Sequence, residues 1–146
     1  MTGTHPEGAG ACLGMQLALQ EAGITADQID YINAHATSTP NGDISELKAL
    51  KTIFGYQPNA SISATKSMTG HLLGAAGAIE SIACIQAIRH DLVPPTINTA
   101  TIMPEFTDTF DIVLRDTKSK TVNYAMSNTF GFGGHIASAI FKKYQA

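Results

Sequence analysis

The stretch from Ser61 to His71, SISATKSMTGH, most constrains how this chain of 146 residues can fold. A short run of serine and β-branched residues ends at Lys66, a turn of Ser, Thr and Gly follows, and His71 precedes the small-residue run 72–78, LLGAAGA. Small side chains let backbones approach closely, so the pattern predicts a strand, a tight turn and a long helix buried at the centre of a domain. We expect the helix N-terminus to keep His71 neutral; a purely structural Lys/His pair is the alternative.

Composition indicates one ordinary globular domain. Hydrophobic residues make up 44% of the chain, and the formal net charge of -3 argues against nucleic acid or an anionic membrane as the main partner. Cys12 and Cys84 stand in apolar contexts without CxxC spacing, which favours buried thiols over a disulfide framework or a zinc site. The sequence shows neither a signal-peptide pattern nor about 18 consecutive apolar residues, so we expect a cytoplasmic protein without membrane span or metal.

Periodicity predicts an α/β unit with the element order α-β-α-β-α-β-β, which ends in an antiparallel strand pair. The predicted helices run from Ala9, with Leu13 and Leu17 repeating, to a stop at Gly23, from Asp43 past Phe54, and from His71 to about His90. The strands of this order are 29–33, 61–64, 121–128 and 135–141; a brief additional strand is expected at 111–114, and the segment 98–110 is expected to be irregular.

Polar residues follow the first predicted strand, where layered α/β proteins usually place ligands. His35 comes directly after that strand, although a histidine in a surface loop is the more common case. Thr37, Ser38 and Thr39 follow it, and their hydroxyl groups can either bind a substrate amide or phosphate or simply form a turn. The residues alone leave both possibilities open.

Two carboxylates lie at the start of the second predicted helix. Asp43 and Glu46 have the spacing of a local helix cap, which is the simpler interpretation. A carboxylate close to a lysine also favours its charged form, so either residue could hold Lys66 as an ammonium ion.

The glycine-rich segment 129–134, TFGFGG, does not fit a nucleotide-binding loop. Such a loop needs the spacing GxGxxG and a following helix, whereas the residues after His135 alternate as in a strand. The pair Lys66-Ser67 likewise lacks the glycines of a phosphate loop. A loop that presents backbone N–H groups, as an oxyanion hole does, agrees better with the sequence.

Three segments in this order resemble the C-terminal half of a β-ketoacyl-[acyl-carrier-protein] synthase, most similar to the KAS II type of fatty acid synthesis. They are 33–43, NAHATSTPNGD, 64–71, ATKSMTGH, and 128–134, NTFGFGG, and the segment 93–98, VPPTIN, agrees with them. The resemblance covers essentially the whole chain. It implies half of a thiolase-like fold, a mixed sheet with flanking helices, in a homodimeric condensing enzyme that needs no cofactor beyond the phosphopantetheine arm of its partner, acyl carrier protein.

In this family, malonyl-carrier protein loses carbon dioxide and the resulting enolate attacks an acyl group held on a cysteine. Two neutral histidines beside the thioester oxygen suit the negative charge that develops there. The resemblance implies a role for each candidate residue. These are His35, Lys66 and His71 for catalysis, Asp43 and Glu46 for positioning the lysine, Thr37 and Thr39 for the pantetheine arm, and Phe130, Gly131, Phe132 and Gly133 for the oxyanion hole and acyl gate.

The chain departs from the family pattern at two places. Ala36 replaces the glycine that follows the first histidine, a mild change if its backbone has a negative φ. His135 and Ile136 replace the usual Thr-Asn pair after the gate, which alters the hydrogen bonding available to that loop.

The nucleophilic cysteine of the family belongs to its N-terminal half, and neither cysteine of this chain has the matching context. Residues 1–3 resemble an interior point of the family sequence, so the chain resembles a fragment. We therefore expect an inactive isolated chain with a gap in its sheet and an exposed apolar face on the small-residue helix. Other interpretations are a polyketide or aryl-polyene ketosynthase, a non-catalytic chain-length-factor subunit, and an inactive remnant with a binding role.

Overall fold

The computed structural model describes residues 5–145, so the segment 1–3, placed by the resemblance at an interior point of the family sequence, lies outside the described residues. The helices are α1 (Ala9–Ala22), α2 (Pro40–Phe54), α3 (Lys66–Thr69) and α4 (Ala76–His90). The strands are β1 (Tyr31–Asn33), β2 (Ser61–Ser63), β3 (Leu92–Val93), β4 (Asp111–Ile112), β5 (Lys118–Ser119), β6 (Tyr124–Phe130) and β7 (Ile136–Lys142).

Five strands form one mixed sheet in the order β4-β2-β1-β6-β7. Strand β1 pairs in parallel with β2 and β6, and β2 pairs in parallel with β4. Strands β6 and β7 form the predicted antiparallel pair, while β3 and β5 form a separate two-stranded ribbon. The predicted mixed sheet is confirmed. The predicted gap is wrong, because each strand of the five is hydrogen-bonded to its neighbour in the described residues.

Successive side chains of a strand point to opposite faces of the sheet, so the buried residues form one cluster on each face. Ile32, Ile62 and Met126 are buried on the face that α1 and α2 cover. Tyr31 and Ala125, their chain neighbours, belong to a second buried cluster with Cys84, Ala87 and Ile88 of α4. The sheet is therefore a middle layer with helices on both faces.

Helix α1 buries a different stripe from the one that its leucines suggest. Met15 and Leu19 are buried, whereas Leu13 and Leu17 are exposed. Both stripes are apolar, so periodicity alone could not choose between them. The predicted end of the helix is confirmed, because Gly23 adopts a left-handed conformation with φ 65°.

The long helix starts later than predicted. Gly70 has φ 70° and Leu73 has φ 49°, and these conformations interrupt the helix so that α4 begins only at Ala76. One side of α4 packs on the sheet, but Ile79, Ile82 and Ile85 on the other side are exposed. The predicted exposed apolar face is thus present. No helix within residues 5–145 is both long and apolar enough to cross a membrane.

Asp91 connects the end of α4 to the C-terminal part of the sheet. It adopts φ 52°, and its carboxylate accepts hydrogen bonds from Lys143 Nζ at 2.7 and 2.8 Å and from the Val122 N–H at 2.9 Å. The Lys143 ammonium and then the Val122 N–H hold the pKa of Asp91 below its ordinary value.

We expect Asp91→Asn to lower the stability of the chain at neutral pH, although asparagine tolerates the left-handed conformation. A lowered carboxyl pKa stabilises the fold above the ordinary value of 3.8 and loses that effect as the pH falls through the lower folded value. Thermal unfolding should therefore separate the variant from the parent at pH 7, and the difference should shrink towards pH 3. A difference that stays constant between these pH values would contradict the assignment.

Candidate active site

The carboxyl ends of three neighbouring strands bring the candidate residues together. His35 follows β1, Lys66 follows β2, and Phe130 ends β6, which pairs with β1. The His35 ring lies 5.4 Å from the His71 ring, edge to face, and 5.1 Å from the Phe130 ring, both between centroids. The two histidines therefore lie together at the edge where the parallel strands end.

His35 is fixed as a neutral ring with one free donor. The Phe130 N–H donates to its Nδ1 at 3.3 Å, so the hydrogen of the neutral ring is on Nε2. Only 8% of the residue is exposed. Burial, followed by the charge of Lys66 and by His71, lowers the pKa of His35 to about 4. The ring is therefore uncharged at neutral pH.

His71 also accepts a backbone N–H at its Nδ1, but from a different segment of the chain than His35 does. It lies between α3 and the 3-10 turn Leu73–Ala75, not at the start of α4, so the predicted effect of the helix N-terminus does not apply. Instead, the Leu73 N–H donates to its Nδ1 at 3.1 Å. Since a backbone N–H is only a donor, the neutral His71 ring also presents its hydrogen at Nε2.

Lys66 forms a buried ion pair with Glu80 of α4. Their side chains are 5% and 3% exposed, and Thr129 Oγ1 of β6 donates to Glu80 Oε2 at 3.3 Å. Asn33 Nδ2 at the end of β1 donates to Thr65 Oγ1 at 3.0 Å and holds the turn that carries the lysine. Sequence reasoning missed Glu80, although a single acidic residue within the apolar run 76–88 was an available signal.

The prediction that Asp43 and Glu46 position the lysine stays a prediction. Within the described part of the chain, Lys66 has its ion pair with Glu80 and with neither of these carboxylates. Asp43 Oδ1 accepts from the Ser38 N–H at 3.1 Å. Burial raises the pKa of Asp43, and the Ser38 and Thr39 N–H groups and the Lys66 charge oppose this rise without cancelling it. The two carboxylates act on the loop after His35.

Glu46 holds the backbone of that loop. Its two oxygens accept from the His35 N–H at 2.9 Å and the Ala36 N–H at 2.8 Å, and Asn128 Nδ2 donates at 3.3 Å. Burial raises the pKa of Glu46, and these donors oppose the rise. Ala36 has φ 32°, so the condition under which alanine would be a mild replacement for glycine is not met.

The role of Thr37 and Thr39 as residues that contact a pantetheine arm stays a prediction. Thr37 Oγ1 and Thr39 Oγ1 are 3.1 Å apart in the loop between β1 and α2. A cavity of about 290 Å³ opens beside this loop, lined by Ala36, Ser38 and Asp43 among others.

The glycine-rich loop offers fewer donors than predicted. The Phe130 N–H is bonded to His35, and the Gly131 N–H donates to the His135 carbonyl oxygen at 2.7 Å. A backbone N–H has one hydrogen, so neither group is available to an oxyanion. Gly133 has φ 81°, and the Phe132 side chain is 75% exposed. The roles of Phe132 and Gly133 in a gate or oxyanion hole stay predictions.

We expect Glu80→Gln to destabilise the chain by about 3–5 kcal/mol, because it leaves the buried Lys66 charge without a counterion. The double variant Glu80→Gln with Lys66→Met should regain most of this loss. Denaturant unfolding measures both effects, with Glu7→Gln as control, since the Glu7–Lys48 pair is exposed and contributes little. Equal losses in Glu80→Gln and the double variant would contradict the ion pair's role.

We expect Ala36→Gly to stabilise the chain by up to about 1 kcal/mol, because glycine removes the cost of a left-handed backbone but adds entropy to the unfolded state. The same substitution at Ala34, which lacks a positive φ, should destabilise it. Chemical denaturation of the two variants checks the opposite signs.

The first 100 residues match the family described as β-ketoacyl synthase, C-terminal domain. A chloroplastic 3-oxoacyl-[acyl-carrier-protein] synthase II of Arabidopsis thaliana is 50% identical over 146 residues, 99% of this chain and 27% of that protein. The 3-oxoacyl-[acyl-carrier-protein] synthase 2 of Staphylococcus aureus (strain COL) is 47% identical and covers 100% of this chain, which spans 35% of its length.

A solved structure of a type II PKS acyl-carrier protein in complex with its ketosynthase has a TM-score of 0.89 and 33% identity over 99% of this chain and 35% of that one. The chain thus spans about a third of the length of the relatives that it matches. The thiolase-like arrangement of the sheet and the proximity of His35 and His71 agree with these matches. The chain belongs to the β-ketoacyl synthase family and matches its C-terminal domain.

Proposed function

We propose that this chain supplies the decarboxylation half of a 3-oxoacyl-[acyl-carrier-protein] synthase of fatty acid elongation. One observation carries the proposal: the His35 and His71 rings lie 5.4 Å apart, and a backbone N–H occupies Nδ1 of each. Both Nε2–H groups are then donors on neighbouring rings, and two such donors suit an oxygen atom on which negative charge develops.

The reaction that fits this pair is decarboxylation of a malonyl thioester. The bond between the carboxylate carbon and the α-carbon breaks, carbon dioxide leaves, and the electron pair passes to the thioester oxygen as an enolate. The Nε2–H groups of His35 and His71 donate to that oxygen. The Lys66 charge helps to keep His35 neutral, and the ion pair with Glu80 keeps that charge in place. The enolate carbon then attacks the carbonyl carbon of the acyl thioester: a C–C bond forms, the enolate oxygen returns to a carbonyl, the C–S bond to the acylated cysteine breaks and that cysteine leaves as a thiolate.

The acyl group needs a nucleophilic cysteine that this chain does not supply. Cys84 is fully buried, its Sγ lies 3.7 Å from the Met126 carbonyl oxygen, and burial raises the pKa of its thiol to about 12. Cys12 Sγ lies 3.8 Å from the carbonyl oxygen of Ala49, inside the contact of α1 with α2. The environment of Cys84 does not favour a thiolate. We therefore propose that the isolated chain is inactive and that a longer protein provides the nucleophile.

Acyl carrier protein is the proposed partner, which delivers the malonyl group on its phosphopantetheine arm past Thr37 and Thr39. The solved ketosynthase in complex with its own acyl-carrier protein supports this. Phe132, on a loop with two left-handed glycines, is the proposed gate of the acyl pocket. A homodimer and a cytoplasmic location stay predictions.

The other interpretations have less support. The relatives named for fatty acid synthesis are 50% and 47% identical, whereas the polyketide ketosynthase is 33% identical. A non-catalytic chain-length-factor subunit or a binding remnant would not need two adjacent histidines, each with Nδ1 bonded to a backbone N–H, beside a buried Lys66–Glu80 pair.

We expect His71→Ala, made in the full-length protein, to reduce malonyl decarboxylation by about 10²–10³-fold, the usual loss for one donor to a developing oxyanion. Acyl transfer to the cysteine should change only a few-fold. Release of carbon dioxide and formation of the acyl-enzyme are measured separately.

The control for this experiment is His90→Ala, because His90 is exposed at the end of α4 and hydrogen-bonds only to Gln86 at 3.1 Å among the described contacts. This variant should retain both half-reactions. An equal loss of both half-reactions in His71→Ala would refute the proposed division of roles.

A further inference from the structure

Ile136, the first residue of β7, packs into a recess on α1 that two glycines create. A Cβ atom added at Gly14 would lie 2.6 Å from Ile136 Cγ2, and one added at Gly10 would lie 2.4 Å from Ile136 Cδ1. Both distances are shorter than a carbon contact permits. Ile136 is 37% exposed, so its contact with α1 is made by the branched part of the side chain rather than by full burial.

This contact anchors one end of the glycine-rich loop. Phe130 and Ile136 are the last paired residues of the β6–β7 hairpin, and the Gly131 N–H closes the loop on the His135 carbonyl oxygen at 2.7 Å. Beyond this pair the loop is exposed and contains left-handed Gly133 and Gly134. Because Ile136 pairs with Phe130, a displacement of Ile136 would be transmitted to the end of β6.

The end of β6 in turn determines the state of His35. Phe130 donates its N–H to His35 Nδ1 at 3.3 Å, near the upper limit for such a bond. A small displacement of Phe130 would lengthen the bond beyond that limit and release the ring to adopt either tautomer. His71 does not share this dependence, because its Nδ1 accepts from Leu73.

We propose that Ile136, seated against Gly10 and Gly14, is a positioning residue that fixes the tautomer of His35 through Phe130. The catalytic importance of that tautomer rests on the proposed function, but its dependence on Ile136 does not.

The test compares Gly14→Ala with Gly10→Ala in the full chain. Both residues lie within α1, so both substitutions raise helix propensity equally. An added Cβ at position 14 meets Cγ2, which is attached to the branched Cβ of Ile136 and moves only with χ1 or the backbone. An added Cβ at position 10 meets Cδ1 at the end of the Ile136 side chain, and this atom can rotate away. Gly10→Ala is therefore the matched control.

Nitrogen NMR of the histidine rings and amide hydrogen exchange report the result. In Gly14→Ala, we expect the His35 Nδ1 resonance to move from that of an unprotonated acceptor towards the average of the two tautomers. We expect exchange of the Phe130 amide to accelerate about five- to tenfold, as for loss of one hydrogen bond. His71 and the Gly10→Ala variant should keep the parent values.

Two more variants keep the test decisive if Gly14→Ala does not fold. Ile136→Val retains the branch and should leave His35 unchanged, while Ile136→Ala removes the branch and should release it. An unchanged His35 in Gly14→Ala or in Ile136→Ala would overturn the proposal, as would an equal change in His71. These measurements use no substrate, so they stand apart from the decarboxylation assay, which tests the proposed function.

Discussion

The buried ion pair of Lys66 and Glu80 is the interaction on which the arrangement of the site depends. It joins the turn after β2 to α4, and the Thr129 hydroxyl group adds β6 to the same contact. Two desolvated charges are stable only when each has its partner, so the strand ends and the helix can adopt few other arrangements. The position of α4 relative to the sheet edge follows, and with it the position of His71.

The same pair explains why a positive charge can lie beside the neutral His35 ring. A free lysine in this position would be expensive to bury, but one neutralised by Glu80 can remain, and its field still disfavours an imidazolium at His35. Hydrogen bonds from Phe130 and Leu73 then select the tautomer of each ring. The electrostatic state of the site thus comes from the scaffold, which is preorganised before any substrate binds.

Sequence reasoning found the fold and the residues of the site where local signals were sufficient. His35 and Lys66 each follow a strand, and the rule that parallel strands end at one edge was enough to place them together. Glu80 escaped because it is fourteen residues from its partner, and only the tertiary structure brings α4 to the turn. Asp43 and Glu46 were the acidic residues to which the helix-cap spacing and the resemblance pointed, but their carboxylates accept hydrogen bonds from backbone N–H groups. The late start of α4 depends on the left-handed Leu73, which propensity does not predict.

The contact between Gly14 and Ile136 limits the order in which this chain can change over evolution. A smaller residue at position 136 leaves space, whereas any side chain at position 14 collides with the isoleucine already present. A substitution of Ile136 by a smaller residue can therefore come first. A residue larger than glycine at position 14 can be accommodated only afterwards. Once both have occurred, isoleucine can return at position 136 only after glycine has been restored at position 14.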